Sequence, residues 1–193
     1  MLTVCNYHYV RNSFDAEHSS IFGVTPIELK NQLIVMGNYG KFVHPNELLK
    51  NADKILNAKR NYVLLTFDDG LNEQFILAKP VLDNLGISAL FFINSMNHFE
   101  GKVSTVHKIH LVRSKIAPHK LLLSLNEFIN KEYYLIEIDE KVAEQTYIYD
   151  SKENAHLKYL LNFKLPLSIS SSFINTIFNE NFIENSVLQK LYM

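Results

Sequence analysis

The sequence predicts an α/β fold whose second half is mainly helical. Three features of the first half predict the α/β class: two apolar runs and the helical spacing between them. Residues 62–67 (YVLLTF) and 88–94 (SALFFIN) are continuous apolar runs, typical of parallel strands that are buried on both faces. Helical spacing over residues 71–85 separates the two runs, and Gly86 follows as a stop. Strand, helix and strand together form a βαβ unit, for which a layered or barrel α/β fold with a right-handed crossover is expected.

The elements before this unit follow the same alternation. Residues 2–10 are rich in β-branched and aromatic side chains and precede a polar loop, so they are predicted as the first strand. A helix is expected to start after Thr25, with Pro26 at its first position, Glu28 completing a capping box and Gly37 as its stop. The first third of the chain therefore also alternates strand and helix.

Two shorter segments complete the first half. Residues 42–43 indicate a very short extended piece, and Pro45 opens a helix that is expected to run to Ala58. Inside the helix over residues 71–85, Pro80 is expected to cause a kink or a break, because proline has no N–H to donate.

The alternation ends near residue 101, which divides the chain into a strand-bearing part, residues 1–101, and a mainly helical part, residues 102–193. In the helical part only residues 133–138 (YYLIEI) indicate a strand. The remainder predicts a helix over residues 154–163, a break at 165–167 and a second helix over 170–193. Serine hydroxyls at 170–172 are expected to cap the second helix.

Composition and charge exclude several classes of protein. The chain has 193 residues, 47% of them hydrophobic and 20% charged, which fits about one globular domain and excludes a disordered chain. A net charge of -1 gives no electrostatic footprint for nucleic acid or an anionic membrane surface.

Cys5, the single cysteine, is predicted to fill space in the core. No apolar run reaches the roughly 20 residues of a membrane span. The N-terminus has no secretory-signal pattern, so a cytoplasmic location is expected.

The run Thr66-Phe67-Asp68-Asp69-Gly70 lies where the strongest strand ends. In parallel α/β folds, ligands and catalytic groups collect at the carboxyl ends of strands. Two adjacent carboxylates there repel each other, so such a pair either binds a cation or divides into acid and base roles. The alternative is a plain turn that caps the next helix, and spacing alone leaves both open.

The TFDDG run and its flanks resemble the polysaccharide deacetylases of the NodB homology type, carbohydrate esterase family four. The resemblance covers about the first 110 residues and includes YHYV at 7–10, TPIELKNQL at 25–33, VLLTFDDGLNEQF at 63–75, AKPVLDNLGISALFFI at 78–93 and VHKIH at 106–110. It implies a partial, distorted (β/α) barrel with a helical C-terminal segment, and removal of acetyl groups from N-acetylated carbohydrate. Asp68 would then be the general base, and Asp69 a ligand of a divalent metal, usually zinc.

The chain departs from that family in its metal ligands. The family supplies two histidines four residues apart, and no such motif occurs here; the nearest pair, His107 and His110, has a spacing of three. That pair either completes a divergent metal site or consists of packing residues. Because a complete barrel uses about 250 residues, the chain is expected to be the N-terminal part of a longer deacetylase.

Further alternatives concern both the function and the site. A rival to the enzyme is a catalytically inactive fragment or interaction module, for which self-association through uncovered strand edges is expected. His8 either lines the substrate cleft or is a packed strand histidine. Tyr7 and Tyr9, near the same strand end, are candidates for stacking on a sugar.

Overall fold

The computed structural model describes residues 1–13, 18, 21–131 and 139–192. The chain divides into two compact units, one formed by Met1–Lys102 with Asn185–Met193 and the other by Val103–Glu184. The strand predicted over residues 133–138 lies outside the described residues.

The first unit contains a parallel sheet of the strands β1 (Leu2–Tyr7), β2 (Lys41–Phe42), β3 (Tyr62–Phe67) and β4 (Ala89–Phe91). Strand β3 is central, because β1 pairs along its whole length while β2 pairs with its first two residues and β4 with its last three. Since β1 fills one edge of β3, β2 and β4 share the other. The mixed α/β class is confirmed, but the sheet is open and the described strands do not close into a barrel, for which eight strands are usual.

The helices are α1 (Pro26–Tyr39), α2 (Pro45–Lys50), α3 (Ala52–Leu56), α4 (Lys79–Leu85), α5 (Ser95–Phe99), α6 (Thr105–Lys115), α7 (Pro118–Lys131), α8 (Glu140–Thr146), α9 (Lys152–Tyr159), α10 (Leu167–Asn181) and α11 (Glu184–Leu191). Two π-helical turns, Gln74–Ala78 and Leu160–Lys164, precede α4 and follow α9. Within the described ranges, no helix has both the length and the apolar character that a membrane crossing requires.

Helix α1 begins as the sequence predicts. The Thr25 side chain accepts a hydrogen bond from the Glu28 backbone N–H at 3.2 Å, and the Glu28 carboxylate accepts one from the Thr25 N–H at 2.8 Å. This bond from the Thr25 backbone lowers the pKa of Glu28. The helix passes Gly37 and ends at Tyr39, because Gly37 does not take the left-handed backbone with which glycine stops a helix.

Pro80 changes the helical geometry without breaking the helix. The turn before it widens to the π form, in which the Lys79 N–H donates to the Gln74 carbonyl, five residues earlier. Proline then falls in the first turn of α4, where a missing N–H is tolerated. Gly86, with φ +64°, ends α4 in the left-handed conformation that the sequence predicts.

Three other elements are shorter than predicted. Strand β1 ends at Tyr7, three residues before the predicted end. Strand β4 ends at Phe91 because Asn94 instead caps α5, its side chain accepting from the Met96 N–H at 3.1 Å. The helix predicted from Pro45 to Ala58 divides into α2 and α3 around Asn51, which lacks helical backbone angles.

Aromatic stacking fixes the carboxyl end of the central strand. Phe67 is fully buried, and its ring stacks on Tyr7 at 5.6 Å and on Phe91 at 4.9 Å between centroids. Leu29 and Leu33 of α1 are buried in the same cluster. The ends of β1, β3 and β4 are thereby held at one level of the sheet.

The helices of the second unit pack around buried leucines and phenylalanines, and their capping differs from the prediction. Helix α10 begins at Leu167 after Pro166, so the serines at 170–172 lie inside it. Ser170 is buried, and its hydroxyl donates to the Leu167 carbonyl at 3.2 Å instead of capping a helix. The second helix, predicted over 170–193, divides into α10, which ends at Asn181, and α11.

A buried lysine contacts three other residues of the second unit. Lys108 of α6 is 6% exposed, and its ammonium lies 2.7 Å from a Glu184 carboxylate oxygen and donates to the Asn175 side chain at 3.0 Å. The same group lies 5.0 Å from the centre of the Phe178 ring, within cation–π range. The Glu184 carboxylate also accepts from the Val103 N–H at 3.0 Å, so one acidic side chain satisfies two buried donors.

Candidate active site

The first two site residues lie just beyond neighbouring strands. Asp68 follows β3 and His8 follows β1. Because β1 and β3 are parallel and pair Tyr7 with Phe67, the next residue of each strand reaches the same edge of the sheet. The Asp68 backbone N–H donates to the Tyr7 carbonyl at 3.0 Å and continues the ladder by one bond.

A chain of two side-chain hydrogen bonds orients the Asp68 carboxylate. The Thr66 hydroxyl donates to the Asn6 amide oxygen at 2.9 Å, and the Asn6 amide nitrogen donates to Asp68 Oδ2 at 2.8 Å. The Asp68 side chain remains 38% exposed, so its carboxylate is fixed in direction and open to water. These are properties that a general base requires.

His8 faces the same carboxylate. Its Nε2 lies 3.8 Å from Asp68 Oδ2, and the imidazole is 50% exposed. Asn6 and His8 are two residues apart, so a strand directs both to one face. Of the two possibilities that the sequence leaves open for His8, the structure supports a place in an open site.

Asp69 and Gly70 form a left-handed turn after the strand, with φ values of +77° and +63°. A Cβ at Gly70 would lie 3.2 Å from the Ile93 side chain, so both the backbone angle and the space favour glycine there. The pKa of Tyr9 is raised by burial and further by the charges of Asp69 and Glu73. The two adjacent aspartates therefore have different neighbours: Asp68 lies 3.8 Å from His8, whereas the charge of Asp69 acts on Tyr9.

The described residues do not fit the expected metal. Within those ranges, no group of three or more His, Cys, Asp or Glu side chains could hold an ion. The His107 side chain is buried with its Nδ1 2.6 Å from the Ser104 hydroxyl, and its ring centre lies 6.2 Å from that of His110. A zinc site would need ligands beyond these contacts.

Glu73 is a third acid beside the site. Its Oε1 accepts from the Val10 N–H at 2.9 Å. Burial raises the pKa of Glu73 to about 7, although the Val10 N–H and the nearby Arg11 charge oppose the rise. Glu73 therefore changes its protonation state near neutral pH, and it lies only a few positions after Asp68 in the chain.

Replacing Glu73 by glutamine is expected to remove a pH dependence of stability. The folded chain holds the Glu73 proton more tightly than the unfolded chain, so the stabilisation is complete below about pH 4.5 and is lost as the pH rises through about 7. We expect the wild-type free energy of unfolding to fall by about 2 kcal/mol relative to Glu73→Gln across this window. Urea titrations at several pH values measure it, and parallel profiles for the two proteins would contradict it.

Four residues make contacts in the site that were not predicted from the sequence, namely Asn6, Thr66, Glu73 and Gln74. For Asn6 the signal is the two-residue spacing to His8 on the predicted first strand. Tyr7 stays a candidate for sugar stacking: the residue is half-buried, its ring stacks on Phe67 at 5.6 Å between centroids, and its hydroxyl donates to Gln32 at 2.6 Å. Cys5 is half-buried, and burial raises the pKa of its thiol, which is unlike a nucleophile.

No family model and no curated protein matches the chain. Among solved structures it is similar to the Streptococcus pyogenes deacetylase PplD in complex with acetate, with 23% identity and a TM-score of 0.43 over 59% of this chain and 51% of that one. It is also similar to IcaB from Ammonifex degensii, with 22% identity and a TM-score of 0.42 over 91% of this chain and 80% of that one. The chain thus spans about half of PplD, and a solved deacetylase is among the structures that it resembles.

Proposed function

We propose that the chain carries the acid–base site of a hydrolase that removes acetyl groups from N-acetylated carbohydrate. One observation carries the proposal: an oriented carboxylate, Asp68, faces the imidazole of His8 at 3.8 Å at the carboxyl ends of two parallel strands. Both side chains are open to solvent, so a substrate and a water molecule can reach them together. The resemblance of the TFDDG segment to polysaccharide deacetylases supplies the substrate class.

In the proposed reaction, Asp68 accepts a proton from water as the water oxygen forms a bond to the acetyl carbon. Protonated His8 then donates its proton to the amide nitrogen as the carbon–nitrogen bond breaks. The products are acetic acid and a free amino sugar. The proton on Asp68 then returns to His8, whose Nε2 lies 3.8 Å from Asp68 Oδ2, and both groups regain their starting states.

Asp69 is the one residue that the family resemblance assigns to the metal, and the described residues do not complete a ligand set around it. The steps above therefore use only side chains of this chain. Added Zn²⁺ is a variable of the experiment below.

A second candidate function is a carbohydrate-binding or interaction module without catalysis. The specific observation in its favour is the absence of a three-ligand cluster in the part of the chain that the structure describes. Such a module would keep the strand-end site as a binding surface. It predicts saturable binding of an N-acetylated sugar and no release of acetate.

The test is acetate release from N-acetylated amino-sugar oligomers, measured with and without Zn²⁺ for wild type, His8→Gln and His98→Gln. His98 is an exposed histidine of α5 and serves as the matched control. We expect His8→Gln to lower the turnover about 100-fold, since a positioned acid contributes about that much or more, and His98→Gln to match wild type. Sugar binding by a wild-type chain that releases no acetate under either condition would favour the module.

A further inference from the structure

The side chain of Gln74 joins the two backbone segments that carry the proposed acid and base. Gln74 is fully buried, and its amide nitrogen donates to the His8 carbonyl at 2.7 Å and to the Asp68 carbonyl at 2.6 Å. One side-chain amide thus spans the ends of β1 and β3, which lie about 60 residues apart in the chain. It contacts both residues through their backbones and leaves their side chains open.

Chemistry fixes the orientation of this amide. Two carbonyl oxygens face one end of it, and only the NH₂ group can donate to both. The amide oxygen of Gln74 is consequently buried without a hydrogen-bond partner. An unsatisfied buried acceptor is destabilising, so the two hydrogen bonds that the Gln74 amide donates come at a cost to stability.

The local backbone supports the same role. Gln74 is the first residue of the π-helical turn, a form that is common at functional sites. The preceding residue, Glu73, accepts from the Val10 N–H at 2.9 Å. Two consecutive side chains of one helical turn therefore hold His8, Val10 and Asp68 by their backbone groups.

We infer that Gln74 is the positioning residue of the site: it sets the separation of the His8 imidazole and the Asp68 carboxylate. Without the amide, two carbonyl dipoles would face each other across a buried gap with no donor between them, and the segments would move apart. A general acid and a general base work only within hydrogen-bond reach of the same substrate, so a small displacement is expected to lower turnover. This inference rests on the proposed function.

The matched control for Gln74 is Asn97. Asn97 is also buried, its amide nitrogen donates to one carbonyl, that of Lys102, at 2.7 Å, and its amide oxygen also has no partner. Asn97→Leu therefore removes a buried amide of the same kind from α5, at a position without a hydrogen bond to His8 or Asp68. Gln74→Met removes the amide of interest at nearly constant side-chain length.

The first readout does not depend on acetate release. The change that Asp68→Asn causes in the NMR chemical shifts of the His8 imidazole reports how strongly the two side chains interact. We expect this change to be at least threefold smaller in the Gln74→Met background than in wild type, and unaltered in the Asn97→Leu background. An equal change in all three backgrounds would overturn the positioning role, whatever the activity of the chain.

Two further measurements complete the test. In the wild-type protein, scalar couplings across the hydrogen bonds should connect the Gln74 amide nitrogen with the carbonyl carbons of His8 and Asp68; their absence would overturn the inference even if no variant folds. If acetate release is present, Gln74→Met should lower kcat about tenfold or more with KM little changed, while Asn97→Leu should lower only the melting temperature. A matching loss of stability in both variants with wild-type kcat would assign Gln74 to structure alone.

Discussion

Replacing Asp68 by asparagine is expected to lower the rate of acetate release by about 10²- to 10⁴-fold, the usual contribution of a positioned general base. The asparagine oxygen can still accept the Asn6 hydrogen bond that orients Asp68, which is 2.8 Å long in wild type. What it cannot do at neutral pH is take a proton from water. The loss should therefore appear in kcat, with the melting temperature within a few degrees of the wild-type value. Turnover of N-acetylated sugar and thermal melts measure the two quantities.

A matched control is Asp83→Asn. Asp83 is an exposed aspartate of α4 that pairs with Lys79 at 2.6 Å on the helix surface. It should retain wild-type turnover, because surface ion pairs of this kind contribute about 0–1 kcal/mol and touch no substrate. Wild-type turnover by Asp68→Asn as well would remove Asp68 from the mechanism.

Truncating Glu184 to alanine is expected to lower the free energy of unfolding by about 3 kcal/mol, the lower end of the range for a broken buried pair, because the Glu184 side chain is 29% exposed. The Lys108 ammonium would keep its place, 6% exposed, and lose the carboxylate at 2.7 Å. The Val103 N–H would lose its acceptor as well. A buried cation without a counter-ion is among the largest single destabilisations known for a point change. Chemical denaturation followed by circular dichroism measures the effect.

Two companion variants separate charge from hydrogen bonding in this pair. Glu184→Gln keeps an oxygen acceptor for Lys108 and Val103, so it should lose clearly less stability than Glu184→Ala. The double variant Lys108→Met with Glu184→Leu removes both charges and should recover most of the loss, because apolar replacement of a whole buried pair is often neutral. If the double variant were less stable than Glu184→Ala, the unpaired charge would not be the cause.

Local signals predicted much of the fold. The apolar run YVLLTF gave the bounds of β3 correctly, and the Thr25, Pro26 and Glu28 pattern located the start of α1. Both signals act within a few residues, through burial in one case and helix capping in the other. Predictions that relied on one residue type alone were weaker: Gly37 did not stop α1, and Ser170 did not cap α10.

The site was less predictable, because its contacts join distant segments. Asp68 could be singled out from the sequence by its place after a strand, and its role stays a prediction. The neighbours of Asp68 depend on the pairing of β1 with β3, which no local pattern specifies. That register brings Asn6 and His8 to the carboxylate and the Gln74 amide to both backbones. The metal role of Asp69 and the nature of the cofactor also stay predictions.

The pairing of β1 with β3 has a consequence for the order of folding. Strands β3 and β4 are joined by one helix and can meet after a short chain closure, whereas β1 must find β3 across a loop of about 60 residues. Contacts between distant segments form late, because the entropy of the closed loop is lost before the contact is gained. We therefore expect β1 to dock last. Since β1 delivers Asn6 and His8, the geometry proposed for catalysis would arise only in the final step of folding, and partly folded chains would carry Asp68 without its partners.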